Sequence, residues 1–119
     1  VKSILIVDDE LTTAEALALI LEDEGYRVTR ASNGQQGLQR ALENRPDLVI
    51  LDFMMPVMSG AEMAQKLRAS EVGGHIKIIM NSALGEHSLR QHFEAYDAFL
   101  RKPYTIDKVL SAIRALLGE

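Results

Sequence analysis

Five short runs rich in aliphatic residues, each followed by a stretch with helical spacing, constrain this chain more than any other feature. The runs are Ser3 to Val7 (SILIV), Tyr26 to Ala31 (YRVTRA), Asp47 to Leu51 (DLVIL), Ile76 to Met80 (IKIIM) and Asp97 to Arg101 (DAFLR), and their starts lie 21 to 29 residues apart. Each interval has room for one helix. The first, third and fourth runs are apolar nearly throughout and rich in Ile and Val, as parallel strands covered on both faces require. The second alternates more, which predicts an edge strand. Between the runs, Leu11, Ala14, Ala18 and Leu21 follow helical spacing, as do Leu38, Ala41 and Leu42, then Met63, Ala64 and Leu67, then Leu89 and Phe93. After the fifth run, Ile106, Val109, Leu110, Ile113, Leu116 and Leu117 make one apolar stripe. Gly25 and Gly118 fall where the first and last helices should end, in the left-handed conformation that glycine adopts most easily.

Repeated strand–helix units imply a parallel sheet, and right-handed crossovers leave only a few strand orders. The expected fold is α/β: a three-layer α/β/α sandwich whose five-stranded parallel sheet has the flavodoxin-like order 2-1-3-4-5, with five helices. With 119 residues and 13.2 kDa, there is room for one core, so residues 1–119 are expected to form one domain. Charged residues at 25% and hydrophobic ones at 47% exclude disorder. No apolar run approaches the roughly 20 residues of a membrane span, and no charged-then-apolar leader opens the chain; a soluble, cytoplasmic protein is expected. The absence of cysteine removes disulfides, thiolate metal sites and a cysteine nucleophile. A net charge of −4 argues against direct nucleic-acid binding by this domain.

In open sheets of this order, ligands sit beyond the carboxyl ends of the strands, near the switch point between the first and third. The residues at those ends are Asp8, Asp9 and Glu10 after the first run, Asp52 after the third, Asn81 and Ser82 after the fourth, and Lys102 with Pro103 after the fifth. Neighbouring strands lie about 4.8 Å apart, so Asp52 should stand close to Asp8 and Asp9. Two carboxylates about 4 Å apart repel by roughly 4 kcal/mol at an effective dielectric near 20. Lys102 can supply one compensating charge. A hard divalent cation can supply two, and Mg2+ suits a site of one or two carboxylates, a phosphate oxygen and waters.

The strings VDDE at 7 to 10, LDFMMPVMSG at 51 to 60, MNSA at 80 to 83 and RKP at 101 to 103 resemble, in order and in strand context, the motifs of response-regulator receiver domains. The resemblance spans essentially the whole chain. It implies that Asp52 is the phosphoacceptor, Asp9 a direct Mg2+ ligand and Asp8 a ligand acting mainly through water. The main-chain carbonyl of Met54 would complete the protein ligands. Ser82 corresponds to the hydroxyl that follows the phosphoryl group, Lys102 to the lysine that pairs with it, and Phe99 to an aromatic switch residue. The Lys102–Pro103 bond would be cis. The implied donor is a phosphohistidine on a sensor histidine kinase or histidine phosphotransfer domain. The implied read-out is an output domain or downstream protein, engaged through the fourth helix, fifth strand and fifth helix by a monomer or a phosphorylation-dependent dimer. The domain would assist its own phosphorylation and dephosphorylation without being an enzyme in the usual sense. Starting at Val1, the chain reads as an excised or processed piece.

Each residue also has a plainer reading. Asp9 could cap the first helix, Asp52 and Ser82 could be turn residues, Phe99 could be core, and Lys102 a solvated lysine. Their coincidence at one end of the sheet argues against these. Met54, Met55, Met58 and Met63 read as packing, and His75, His87 and His92 as surface. Gly34 and Gly37 lack the context of a phosphate-binding loop. Met54 and Leu84 are apolar where some receivers carry polar residues that position hydrolytic water, which predicts a long-lived phosphoryl group. Lys108 and Ala112 depart from the Glu and Arg common in receivers joined to winged-helix domains. Two competing classes remain: a metal-dependent phosphatase, which usually shows a D-x-D motif absent here, and a binding module that is never phosphorylated.

Overall fold

Backbone hydrogen bonding in the computed structural model, which describes residues 1–119, resolves the alternation into β1 (Ser3–Val7), α1 (Leu11–Asp23), β2 (Arg27–Ala31), α2 (Gly34–Asn44), β3 (Leu48–Asp52), α3 (Gly60–Ala69), one 3-10 turn (Gly73–His75), β4 (Lys77–Ser82), α4 (Glu86–Arg90), β5 (Ala98–Arg101) and α5 (Ile106–Leu117). All strand pairs are parallel and the order is β2-β1-β3-β4-β5. Burial explains the sequence pattern. Every residue of β3 is buried, whereas β2 exposes Arg27, Thr29 and Arg30, as the alternating edge-strand sequence requires.

The sheet separates two apolar cores. Ile4, Ile6, Leu48, Ile50, Ile79 and Leu100 face α1 and α5, where Leu17, Leu21, Val109 and Ile113 meet them. Leu5, Val7, Val49, Leu51, Ile78 and Met80 face the opposite layer, built from α2, α3 and α4 with Met63, Leu67 and Leu89. Gly37 lets α2 lie directly on Val7 and Met63, since a Cβ there would collide with both side chains. The G-x-x-G spacing is therefore a packing device.

The helices depart from expectation at their ends. Leu11, Leu42 and Ile106 are 64%, 38% and 42% exposed, although they share the periodicity of buried neighbours. Leu11 and Ile106 are the first residues of α1 and α5, in the turns that follow the carboxyl ends of β1 and β5. The stretch containing Leu89 and Phe93 is helical only over Glu86–Arg90; Phe93 is buried outside the helix. With only two apolar residues on its inner face, this segment has little tertiary packing to extend a helix. Gly25 (φ +97°) and Gly118 (φ +75°) do end α1 and α5. No helix is long and apolar enough to cross a membrane.

Candidate functional site

Parallel register brings the strand-end residues into rows. Val7 pairs with Leu51, Asp52 with Asn81, and Asn81 with Leu100, so the next row across the sheet runs Asp8, Asp52, Asn81, Leu100. These residues continue the alternation of Ile6, Ile50 and Ile79 on the α1/α5 side. Asp8 and Asp52 are buried at 4% and 5% exposure, while Asp9 is exposed at the rim. Carboxylate oxygens of all three lie within 4.8 Å of one another.

The polar contacts of this cluster are few and specific. Asp8 accepts from the Glu10 N–H through Oδ1 (2.8 Å), and Asp52 accepts from the Met54 N–H through Oδ1 (3.3 Å). The other oxygen of each carboxylate faces Lys102, whose Nζ is 3.4 Å from Asp8 Oδ2 and 3.4 Å from Asp52 Oδ2. Burial pushes the Asp52 carboxyl up from 3.8 to about 6; Lys102 opposes this, Asp8 adds to it, and the Met54 N–H opposes it. Burial lowers the Lys102 pKa, but Asp52 and Asp8 outweigh that and hold its ammonium above its usual range. One lysine thus leaves three clustered carboxylates under-neutralised. The ligand atoms are all hard oxygens, without histidine or sulfur, so the set fits a divalent cation of the Mg2+ type.

Lys102 follows β5 and is joined to Pro103 by a cis bond, as the motif resemblance implied. Its N–H donates to the Ser82 carbonyl at 2.8 Å, which ties the ends of β4 and β5 together. Ser82 is fully buried and its Oγ accepts from the Leu84 N–H at 2.9 Å. The turn readings of Asp52 and Ser82 are therefore both realised, and they leave Asp52 Oδ2 facing Lys102. The capping reading of Asp9 is not realised, because Glu10 occupies the N-cap of α1 and no side chain caps that helix.

Phe99 lies away from the acidic cluster, on the opposite face, paired in register with Met80. Its ring stands 6.4 Å from that of Tyr96, whose hydroxyl donates to Glu86 and accepts from Arg90 Nε. The loop after β3 carries Met54 at the mouth and Met55 and Met58 against the core. It returns to the sheet at Gly60, where a Cβ would run into the main-chain carbonyl of Asp52. His75, His87 and His92 are exposed. Tyr104 escaped sequence reasoning: its phenol is raised by burial, with Lys102 opposing and Asp8 and Asp52 adding. An aromatic residue two positions after a strand-end lysine was the available signal.

Comparison with known proteins agrees with this geometry. A family model for the response regulator receiver domain matches residues 4–114. The phosphate regulon transcriptional regulatory protein PhoB of Pseudomonas aeruginosa is 38% identical over 118 residues, covering 98% of this chain and 52% of that protein. The transcriptional regulatory protein ResD of Bacillus subtilis is 38% identical over 116 residues, covering 96% and 47%. The chain thus spans about half the length of the curated relatives it matches. Among solved structures, response regulator TrrA of Thermotoga maritima in complex with Mg2+ and BeF is 34% identical with a TM-score of 0.88, covering 98% of this chain and 99% of that one. The signal receiver domain of a signal transduction histidine kinase from Syntrophus aciditrophicus is 32% identical with a TM-score of 0.91, covering 99% and 91%.

Proposed function

Because the chain belongs to the response regulator receiver family of two-component systems, we propose that residues 1–119 act as one phosphoacceptor domain with Asp52 as the acceptor. The observation that carries this reading is Asp52 itself: a buried carboxylate at the end of the central strand, with one oxygen held by a backbone N–H and the other turned to Lys102.

The donor is a phosphohistidine on a sensor kinase or phosphotransfer domain. A carboxylate oxygen of Asp52 forms a bond to phosphorus as the phosphorus–nitrogen bond to the donor imidazole breaks, and the leaving imidazole takes up a proton. Lys102 turns its ammonium to the transferred oxygens, and the Ser82 hydroxyl donates to one of them while its oxygen keeps the Leu84 N–H. Asp9, Asp52 and the main-chain carbonyl of Met54 would hold Mg2+, with Asp8 acting through a water. Bound there, Mg2+ supplies positive charge against the carboxylates and the phosphoryl oxygens. The chain's own part in speeding its phosphorylation and dephosphorylation is this positioning.

Once Ser82 engages the phosphoryl group, the loop after β4 moves inward and Phe99 fills the space released. This remodels the α4-β5-α5 surface that an output domain or downstream protein reads, as monomer or as a phosphorylation-dependent dimer. The Glu86–Tyr96–Arg90 contacts support that route, since they join α4 to the segment entering β5. The net charge of −4 favours a protein partner over nucleic acid for this domain. A cytoplasmic kinase partner would place the domain in the cytoplasm.

The test is intact mass after incubation with acetyl phosphate and Mg2+, with and without chelator, for the wild type and Asp52→Asn. One added phosphoryl group that is lost in the variant and in chelator is the expected result. A folded wild type that gains nothing would favour a binding module that is never phosphorylated, and continuous release of phosphate at catalytic rates would favour a phosphatase.

A further inference from the structure

Asn81 is 2% exposed, and its Oδ1 is buried with no hydrogen-bond partner. An unpaired buried amide oxygen costs about 1 to 3 kcal/mol, and at this position Val or Ile would continue the β4 sequence without that cost. The position is not random. Asn81 is the in-register neighbour of Asp52 and stands in the row Asp8, Asp52, Asn81, Leu100. Lys102 follows β5 and reaches Asp52 at the end of β3 and Asp8 just after β1, so its side chain spans the width of β4, the strand that carries Asn81 and lies between them. Lys102 also carries the only cationic group in contact with these carboxylates. The oxygens it holds are the ones of Asp8 and Asp52 not already bound to backbone N–H groups. A cation entering the cluster competes with the ammonium for them.

We propose that Asn81 is a positioning residue for Lys102: its side-chain carbonyl receives the ammonium when a divalent cation takes the Asp8 and Asp52 oxygens. The lysine then has two seats, the carboxylate pair in the empty site and the amide oxygen in the loaded one. In the second seat it keeps a hydrogen bond without neutralising the metal ligands and stays within reach of an incoming phosphoryl group. The inference rests on the reading of Asp8, Asp9 and Asp52 as a cation site.

A double-mutant cycle on Mg2+ binding, measured by calorimetry without any phosphodonor, tests it. Asn81→Val should weaken Mg2+ binding about tenfold, the effect of losing one hydrogen bond to a charged group, while thermal stability without metal stays level or rises. Asn81→Ala, which cannot overpack the site, should weaken binding to the same degree. In a Lys102→Met background neither substitution should alter the Mg2+ constant. The 15N resonance of the Lys102 ammonium should move on adding Mg2+ in the wild type and move differently in Asn81→Val. Equal Mg2+ constants for the wild type and both Asn81 variants would overturn the role of Asn81. The same loss in the Lys102→Met background would overturn it too, by showing that the effect bypasses the lysine. A wild type that binds no Mg2+ would instead sink the reading of the acidic cluster.

Discussion

Asp52 combines burial with a neighbouring carboxylate, and its pKa of about 6 has a consequence for stability in the metal-free protein. The unfolded group ionises near 3.8, so between pH 4 and pH 6 the folded state holds more protons than the unfolded one. Stability from this group is therefore full below pH 4 and is lost as pH rises through 6. Asp52→Asn should remove that slope and, after discounting for solvent reaching the pit, add about 2 kcal/mol at pH 7. Urea midpoints measured in chelator from pH 4 to pH 8 would check both. Met54 and Leu84 raise a different expectation. Both are exposed apolar side chains on the loops flanking the pit and offer no group to orient an attacking water. Met54→Asn with Leu84→Ala should shorten the lifetime of the phosphorylated form severalfold, followed by loss of the added mass with time; an unchanged lifetime would remove the argument from these two residues.

The elements differ in how they are secured. α5 is capped by Thr105, whose hydroxyl oxygen accepts from the Lys108 N–H at 3.2 Å, whereas α1 has Glu10 at its N-cap position with no side-chain cap. Thr105→Ala should cost about 1 kcal/mol in thermal or urea unfolding and leave Mg2+ binding at the acidic cluster unchanged. β1, β3 and β4 were legible in the sequence because burial on both faces leaves a nearly continuous aliphatic run, and because polar residues end each run where the sheet stops. Asp8, Asp52 and Ser82 could be found on that ground, residue by residue. The extent of α4 was not legible, since Leu89 and Phe93 fit a helical face equally well whether or not the chain stays helical between them. The unpaired amide oxygen of Asn81 was hidden for another reason. It depends on which side chains lie beside it across the sheet, and spacing along the chain carries no record of that.

For the whole molecule, the proposed cation site carries a stability prediction. Mg2+ held by Asp8, Asp9 and Asp52 would bind only the folded arrangement that gathers these carboxylates at the ends of β1 and β3, so adding it should raise the melting temperature. At a concentration about 100 times its dissociation constant the gain is about 2.7 kcal/mol. Asp9→Asn should abolish most of this rise, readable by scanning calorimetry with and without chelator. The sheet that gathers these carboxylates also divides the molecule. Asp8, Asp52, Asn81 and Lys102 extend the rows that face α1 and α5, while Ser82 and Phe99 extend those that face α2, α3 and α4. The two sets meet at one end of the sheet, where the Lys102 N–H donates to the Ser82 carbonyl. If Asp52 is the acceptor and the face carrying Phe99 is the one read by a partner, substitutions in the α1/α5 core would act first on loading and substitutions in the opposite core first on recognition, with Ser82 the point where the two meet. A lineage could change its conversation partner without relearning its chemistry.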